Sequence, residues 1–363
     1  MKLRLWMIVF VLALALPVLA EPVVLQNQGL ESRIEFWKKV YTQYGKDDII
    51  IHDRFHVNLI YDVVTESDVD SKVRAVRAAL NEIRLNLNTP ENLSIVAKQI
   101  SDAIIANGLS LSEPVVDELR SRIHTQRGIK ERFRDGIVRS GRYIDSFQGI
   151  FEQHGLPTQI ALLPLVESSF ENRSRSKAGA AGIWQFMRGT GRRYLRITTK
   201  LDERLDPPKA TRAAARLLME NYNALGSWPL AITAYNHGRG GMMRASNKVG
   251  PDLPQIINKY DGPLFGYASM NFYAEFVAAV EVYENHQQYF GVLVLDTPST
   301  RTPTAAPAPA VEARAVPADK YRVRKGDTLW EIAERFELSI SELMAKNSLK
   351  KSVIHAGQML LVK

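Results

Sequence analysis

No cysteine occurs anywhere in the chain. That excludes disulfides and a lipid-modified cysteine, so the fold has to be held by buried apolar surface. The 45% hydrophobic content over 363 residues can supply it. Beyond residue 20 there is no run apolar enough to cross a bilayer. There is also no basic cluster interleaved with aromatics, which argues against nucleic acid as a partner.

What is present begins with a leader. Residues 1–20 read MKLRLWMIVFVLALALPVLA: Lys2 and Arg4 precede an apolar stretch that ends in small residues before Glu21. This is the pattern of a secretory signal peptide cleaved after Ala20, with an uncleaved anchor as the alternative. The expected location is the periplasm or cell envelope, without a lipid-anchor cysteine. The formal charge is +8, and removal of Lys2 and Arg4 lowers it to +6. A positive surface of this size suits an anionic polymer in a general way.

Residues 296–319, DTPSTRTPTAAPAPAVEARAVPAD, are rich in Pro, Ala and Thr and have almost no large apolar side chains. They read as an extended tether between a large body and a small C-terminal module. In residues 21–125 three helical stripes stand out: Ile34, Trp37, Tyr41, Tyr44; Val73, Val76, Leu80, Ile83, Leu87; and Leu93, Val96, Ile100, Ile104. Residues 49–64 are β-rich and predict a short strand or hairpin. His52 and His56 lie four apart in HDRFH, but Asp53 stands where a zinc-protease signature has Glu. On a strand that step does not favour one chelating face, so no metal is expected there.

Residues 160–170 read IALLPLVESSF. On a continuous helix Leu156, Ile160, Leu163, Glu167 and Phe170 would share one face, apolar except for Glu167; Pro164 is expected to break or kink it. A carboxylate aimed at a core needs a partner, a proton or a task. Downstream, Gly179, Ala180, Ala181 and Gly182 would let backbone approach a ligand closely. Trp184, Gln185, Phe186 and Met187 follow, with aromatics to stack on sugar rings and an amide to fix an acetamido group. Residues 231–238, AITAYNHG, predict a helix ending at a glycine cap, with Tyr235 and Asn236 placed to hydrogen-bond across a cleft. Asp202, Glu203 and Asp206, in DERLDP, are the obvious candidates for a second carboxylate. Arg204 among them and Arg192, Arg193 and Lys200 just before favour a solvated or ion-paired loop.

Residues 321–363 predict β-α-α-β. Tyr321 and Val323 alternate with arginines. Thr328 and Glu331, then Ser339 and Glu342, form two capping boxes, and residues 359–362 close the module as a strand. This stretch resembles a LysM domain through YRVRKGDTLWEIA, the Asn347-Ser348-Leu349 turn and GQMLLV. The resemblance implies binding of N-acetylglucosamine-containing glycans between Gly326, Asp327, Thr328 and Leu329 on one side and Ile354 and Ala356 on the other.

LPLVESSF, SKAGAAGIWQFM, DERLDP, TRAAARLL and TAYNHG together resemble, in order and spacing, the soluble-type lytic transglycosylases, over about residues 127–291. The resemblance implies a mainly α, lysozyme-like catalytic domain of the α+β superfamily at 126–291. It would follow a mostly helical N-terminal region at 21–125 and precede a linker at 292–319 and a βααβ LysM module at 320–363. It further implies cleavage of peptidoglycan between N-acetylmuramic acid and N-acetylglucosamine, leaving 1,6-anhydromuramic acid ends, with no cofactor or metal. Glu167 would be the single catalytic acid. Ser176 and Tyr235 would hold the reacting sugar, and Gln185 and Met187 would line the N-acetyl sugar subsite, with Gly179 and Gly182 nearby. His237, where many relatives carry Ala, reads as structural. A hydrolytic muramidase on the same glycan and a non-catalytic peptidoglycan-binding scaffold stay open as alternatives, as do peripheral membrane or wall association and the oligomeric state.

Overall fold

Two adjacent isoleucines, Ile50 and Ile51, organise the N-terminal part. The computed structural model describes residue 25, residues 27–298 and, further on, residues 320–324, 329, 332–333, 336, 338, 340–349, 354–355 and 357–362. The leader and most of the tether lie outside the described residues. After helix α1 (Glu31–Thr42), strands β1 (Ile49–Asp53) and β2 (Ile60–Val64) form the expected hairpin. Helices α2 (Val69–Leu85), α3 (Ile95–Ala106) and α4 (Glu113–Ser121) follow, and then β3 (Ile123–Arg127) pairs antiparallel with the other edge of β1. The sheet order is β2-β1-β3, and β1 is buried at every position.

Because side chains alternate along a strand, β1 serves two cores at once. Ile50 points into the large core of the molecule, and Ile51 into a smaller one built from Val76, Leu80, Ile83, Ile100, Ile104, Val116 and Leu119. The buried face of α3 is Ala97, Ile100 and Ile104. The predicted stripe through Leu93 and Val96 is corrected here, since Leu93 precedes the helix and Val96 is exposed. The start of α3 is fixed by Ser94, whose Oγ accepts from the Ala97 amide at 3.3 Å.

The large core gathers α1 with everything from residue 130 onward in the body. Helices α5 (Lys130–Ser140) and α6 (Ile144–Gln153) lead through a 3-10 turn, Thr158–Leu162, into the single turn α7 (Pro164–Glu167). Helix α8 (Arg188–Gly191) is equally short. Then come α9 (Pro207–Leu225), α10 (Trp228–His237), α11 (Arg239–Val249), α12 (Leu253–Lys259), α13 (Tyr267–Glu284) and α14 (His286–Phe290). Asp206, Ser227 and Asp252 cap α9, α10 and α12 by accepting amide protons, and each of these helices has proline in its first turn. Helix α10 ends at Gly238, as AITAYNHG predicts, with a φ of 89° that favours glycine.

Helix α13 is the axis of this core, buried on nearly all sides through Phe272, Tyr273, Phe276, Val277, Val280 and Val282. Helices α1, α7 and α10 all pack against it. The N-terminal helix thus belongs to the same core as the site described below.

In the C-terminal module, β4 (Lys320–Arg322) pairs antiparallel with β5 (Met359–Leu361) over a core of Tyr321, Val323, Leu329, Ile332, Leu343, Leu360 and Val362. Asn347 ties the helix Ile340–Lys346 to β5. Its Oδ1 accepts from the Leu361 amide at 2.7 Å, and its Nδ2 donates to the Leu361 carbonyl at 2.9 Å.

Candidate active site

Pro164 and two residues of left-handed backbone place Glu167. The stripe is broken at Pro164, as expected. Pro164 opens a fresh turn after the 3-10 segment, where its missing N–H costs nothing. Leu156, Ile160, Leu163 and Phe170 still converge in the core, and Glu167 alone stays half-buried at the end of α7. Immediately after it, Ser169 and Phe170 have φ of 51° and 57°, a conformation side chains other than glycine seldom adopt. The surroundings enforce it. The amides of Ser168 and Phe170 both donate to the Pro164 carbonyl, Arg139 Nε on α5 donates to the Ser169 carbonyl at 2.9 Å, and Ser168 Oγ donates to the Ile183 carbonyl at 2.8 Å. Gly136 leaves room for this close passage, since a Cβ there would lie 2.9 Å from that of Ser169. Strain of this kind, held from several sides, is a pointer to function.

Desolvation raises the Glu167 pKa to about 8, and the field of Glu275 adds to it. Among the described residues no cation offsets this. Glu275 projects from α13, which packs on α7, and desolvation raises its pKa to about 8 as well. Two neighbouring carboxyls in a dry site keep at least one proton between them at neutral pH. Tyr235, on α10, lies within the field of Glu167, and its hydroxyl donates to the Trp184 carbonyl at 2.8 Å.

The loop after Glu167 folds on itself as a small β-like turn, with bridges between Arg175 and Ala181 and between Ala181 and Phe186. Ser176 is exposed, and its Oγ accepts from the Ala180 amide at 3.0 Å. The Cβ position of Gly179 faces open space. Gly182 meets protein instead of an open cleft: a Cβ there would fall 1.9 Å from the Arg204 carbonyl oxygen. Gln185, at a φ of 45°, spends its Nε2 on the Ser174 and Gly182 carbonyls, and those two bonds leave Oε1 facing elsewhere. Met187 is exposed. Asn236 is exposed, and its Oδ1 accepts from Ser269 Oγ at 3.1 Å. His237 takes part in the same cluster, with Nδ1 3.2 Å from Ser269 Oγ and its ring edge-on to Phe265.

The acids of DERLDP are committed to other partners. Asp202 holds Arg204 with both oxygens, at 2.9 and 2.8 Å, and the Arg204 bonds keep its pKa below the usual range. Glu203 is buried. Desolvation pushes its pKa up, but the Arg196 amide and the Lys209 and Arg196 side chains more than offset this and leave it lowered. Asp206 caps α9 through the Lys209 amide at 3.1 Å. The carboxyl whose field does reach Glu167 is Glu275, which sequence reasoning missed. Its signal was a lone acid inside the apolar run NFYAEFVAAV, the same signal that Glu167 gives.

His52 lies in β1 with its Nδ1 2.9 Å from the Asp53 carbonyl and its Nε2 3.3 Å from Tyr267 Oη. Burial lowers its pKa to about 3. Of the LysM groove residues, Leu329 and Ile354 pack with the module core. Gly326, Asp327, Thr328 and Ala356 lie outside the described residues.

The chain carries a transglycosylase SLT domain, matched by its family model over residues 149–256, and a LysM domain, matched over residues 321–363. The mostly helical body therefore contains, over residues 149–256, the lysozyme-like SLT domain that the sequence predicts, and residues 321–363 are the LysM module. Among curated proteins it is similar to membrane-bound lytic murein transglycosylase D of Escherichia coli K12, 35% identical over 146 residues, 39% of this chain and 32% of that protein. It is also similar to the uncharacterized protein YkzQ of Bacillus subtilis, 42% identical over 43 residues, 12% of this chain and 57% of that one. The chain thus spans about a third of the length of the transglycosylase it matches. Among solved structures it is similar to an inactive mutant of the lytic transglycosylase Slt from Pseudomonas aeruginosa, with 15% identity, 59% of this chain and 31% of that one covered, and a TM-score of 0.33.

Proposed function

We propose that this protein is a peptidoglycan lytic transglycosylase with Glu167 as its single acid and base. The observation that carries the reading is the state of Glu167, a half-buried carboxyl with a pKa raised to about 8, at the end of a strained turn inside the SLT domain. A group in that state holds its proton at neutral pH and can give it up to a glycosidic oxygen. As the bond between muramoyl C1 and that oxygen breaks, the proton moves to the departing N-acetylglucosamine O4. The muramoyl C6 hydroxyl then closes on C1, and its proton returns to the Glu167 carboxylate. The product is a 1,6-anhydro ring, no water is consumed, and the acid is restored. An internal nucleophile also gains from proximity.

The exposed Met187 and the half-buried Gln185, whose Nε2 alone is hydrogen-bonded to backbone, support the N-acetyl sugar subsite. Ser176, Gly179 and Asn236 offer polar or open positions along the same surface. Tyr235 supports the reacting sugar from beside Glu167. The LysM module would bring the enzyme to its substrate through Gly326, Asp327, Thr328, Leu329, Ile354 and Ala356. The leader at 1–20 supports export to the periplasm or envelope, and no described helix is long and apolar enough to cross a membrane.

A second reading, the hydrolytic muramidase, is favoured by one observation, the presence of Glu275 next to Glu167. A two-carboxylate hydrolase needs its second group ionised. Desolvation keeps Glu275 protonated near neutrality, which weighs against that role. Mass spectrometry of fragments released from purified sacculi tests the choice. Anhydro ends support the transglycosylase, hydrated reducing ends the hydrolase, and binding without release the scaffold.

A further inference from the structure

Arg204 is almost wholly buried, yet it is not consumed by a single ion pair. Its side chain makes four hydrogen bonds. Nε and Nη2 grip the two oxygens of Asp202 at 2.9 and 2.8 Å, while Nη1 reaches the Gly179 and Phe186 carbonyls, both at 2.9 Å. One of those carbonyls lies in the first turn of the β-like loop and the other at its far end. The backbone beneath is pressed against the same loop: Gly182 lies on the Arg204 carbonyl, and Asn172 Nδ2 donates to the Leu205 carbonyl at 3.0 Å.

Between the two clamped carbonyls lie those of Ile183 and Trp184. Ile183 accepts from Ser168, the residue after Glu167, and Trp184 accepts from Tyr235, which lies in the field of Glu167. We infer that Arg204 is a positioning residue for the cleavage reaction, setting the 179–186 segment against both Glu167 and the sugar subsite. The inference rests on the transglycosylase reading for the identity of the acid.

Only a guanidinium fits the task. Its planar fork can hold a carboxylate with two nitrogens and still aim the third at two carbonyls; an ammonium is a point charge that cannot span them. Loosening the clamp would let water reach Glu167 and misplace the acid. Misplacement by about 1 Å can cost about a hundredfold in rate.

The test compares Arg204→Lys and Asp202→Asn with wild type and with Glu203→Gln, a change in the same turn that leaves the Arg204 bonds intact. Three readouts are taken: kcat and KM on solubilised glycan strands, the alkaline limb of the pH–rate profile, and the Glu167 carboxyl titration by 13C NMR. The titratable groups electrostatically coupled to Glu167 are Glu275 on α13 and Tyr235 on α10, and neither is altered. For Arg204→Lys we expect kcat to fall about 10- to 100-fold, with the alkaline limb and the NMR midpoint both moving to lower pH. Asp202→Asn should move all three the same way by less, and it carries the test if the lysine variant does not fold. Glu203→Gln should lower Tm and leave the midpoint in place. A wild-type midpoint and wild-type kcat in folded Arg204→Lys or Asp202→Asn would overturn the inference, whatever happened to Tm. Failure of the transglycosylase reading looks different: wild type itself would release no anhydro ends, while the NMR comparison would still report on the clamp.

Discussion

Two glutamates drawn out of water, Glu167 at the end of α7 and Glu203 in the turn before α9, meet opposite surroundings. Glu203 is enclosed by an amide and two cations, and its pKa falls. Glu167 is desolvated within the field of another carboxyl, and its pKa rises. Burial alone therefore says little about the role of an acid. The partners decide whether desolvation produces a salt bridge or a proton donor.

Breaking the contrast at its active end should have the largest effect. Glu167→Gln should reduce release of soluble muropeptides by about 10²- to 10⁴-fold while sacculus binding in a pull-down persists. Unchanged release would remove Glu167 from the mechanism. Next comes pH. Activity that needs the protonated form should fall about tenfold per unit once pH passes about 8. A limb near pH 5 in a rate profile would show that the site is wet.

Stability should respond with opposite signs. The folded pKa of Glu167 is raised, so its contribution is fully present below 4.5 and is lost as pH rises toward about 8. Glu167→Gln should then stabilise the protein at pH 7 by about 1–3 kcal/mol and leave it unchanged at pH 4. The folded pKa of Glu203 is lowered, so its contribution is present above 4.5 and is lost on acidification. Glu203→Gln should cost about 1–2 kcal/mol at pH 7 and nothing at low pH, with turnover per folded molecule preserved. Urea midpoints for both variants at pH 4 and pH 7 check the pair, and matching signs would break the comparison.

Much of this was legible in the sequence because the relevant signals are local. Capping residues, prolines at first turns and the glycine after His237 mark helix ends directly. Glu167 declared itself by interrupting an apolar stripe. Glu275 is also a lone acid in an apolar run, but α13 is apolar on almost every face, so no single stripe made it stand out. Strand β3 was missed for a related reason. Its residues, IHTQR, are polar and half-exposed, and only the pairing with β1, some seventy residues earlier, makes them a strand. The break expected at Pro164 is there, but the two left-handed residues after Glu167 were not foreseen, since periodicity reports which side chains turn inward and not the path of the backbone between them.

The seating of α1 along α13 has a practical consequence. Trp37, Val40 and Tyr41 complete the packing around α13, the helix that carries Glu275, and Tyr41 Oη donates to the backbone carbonyl of that glutamate at 3.3 Å. An excised fragment beginning at residue 149, where the SLT match starts, would leave one flank of that helix bare and its acid open to solvent. The smallest autonomously folding fragment that keeps this site should begin ahead of Glu31, more than a hundred residues upstream of where homology alone would cut.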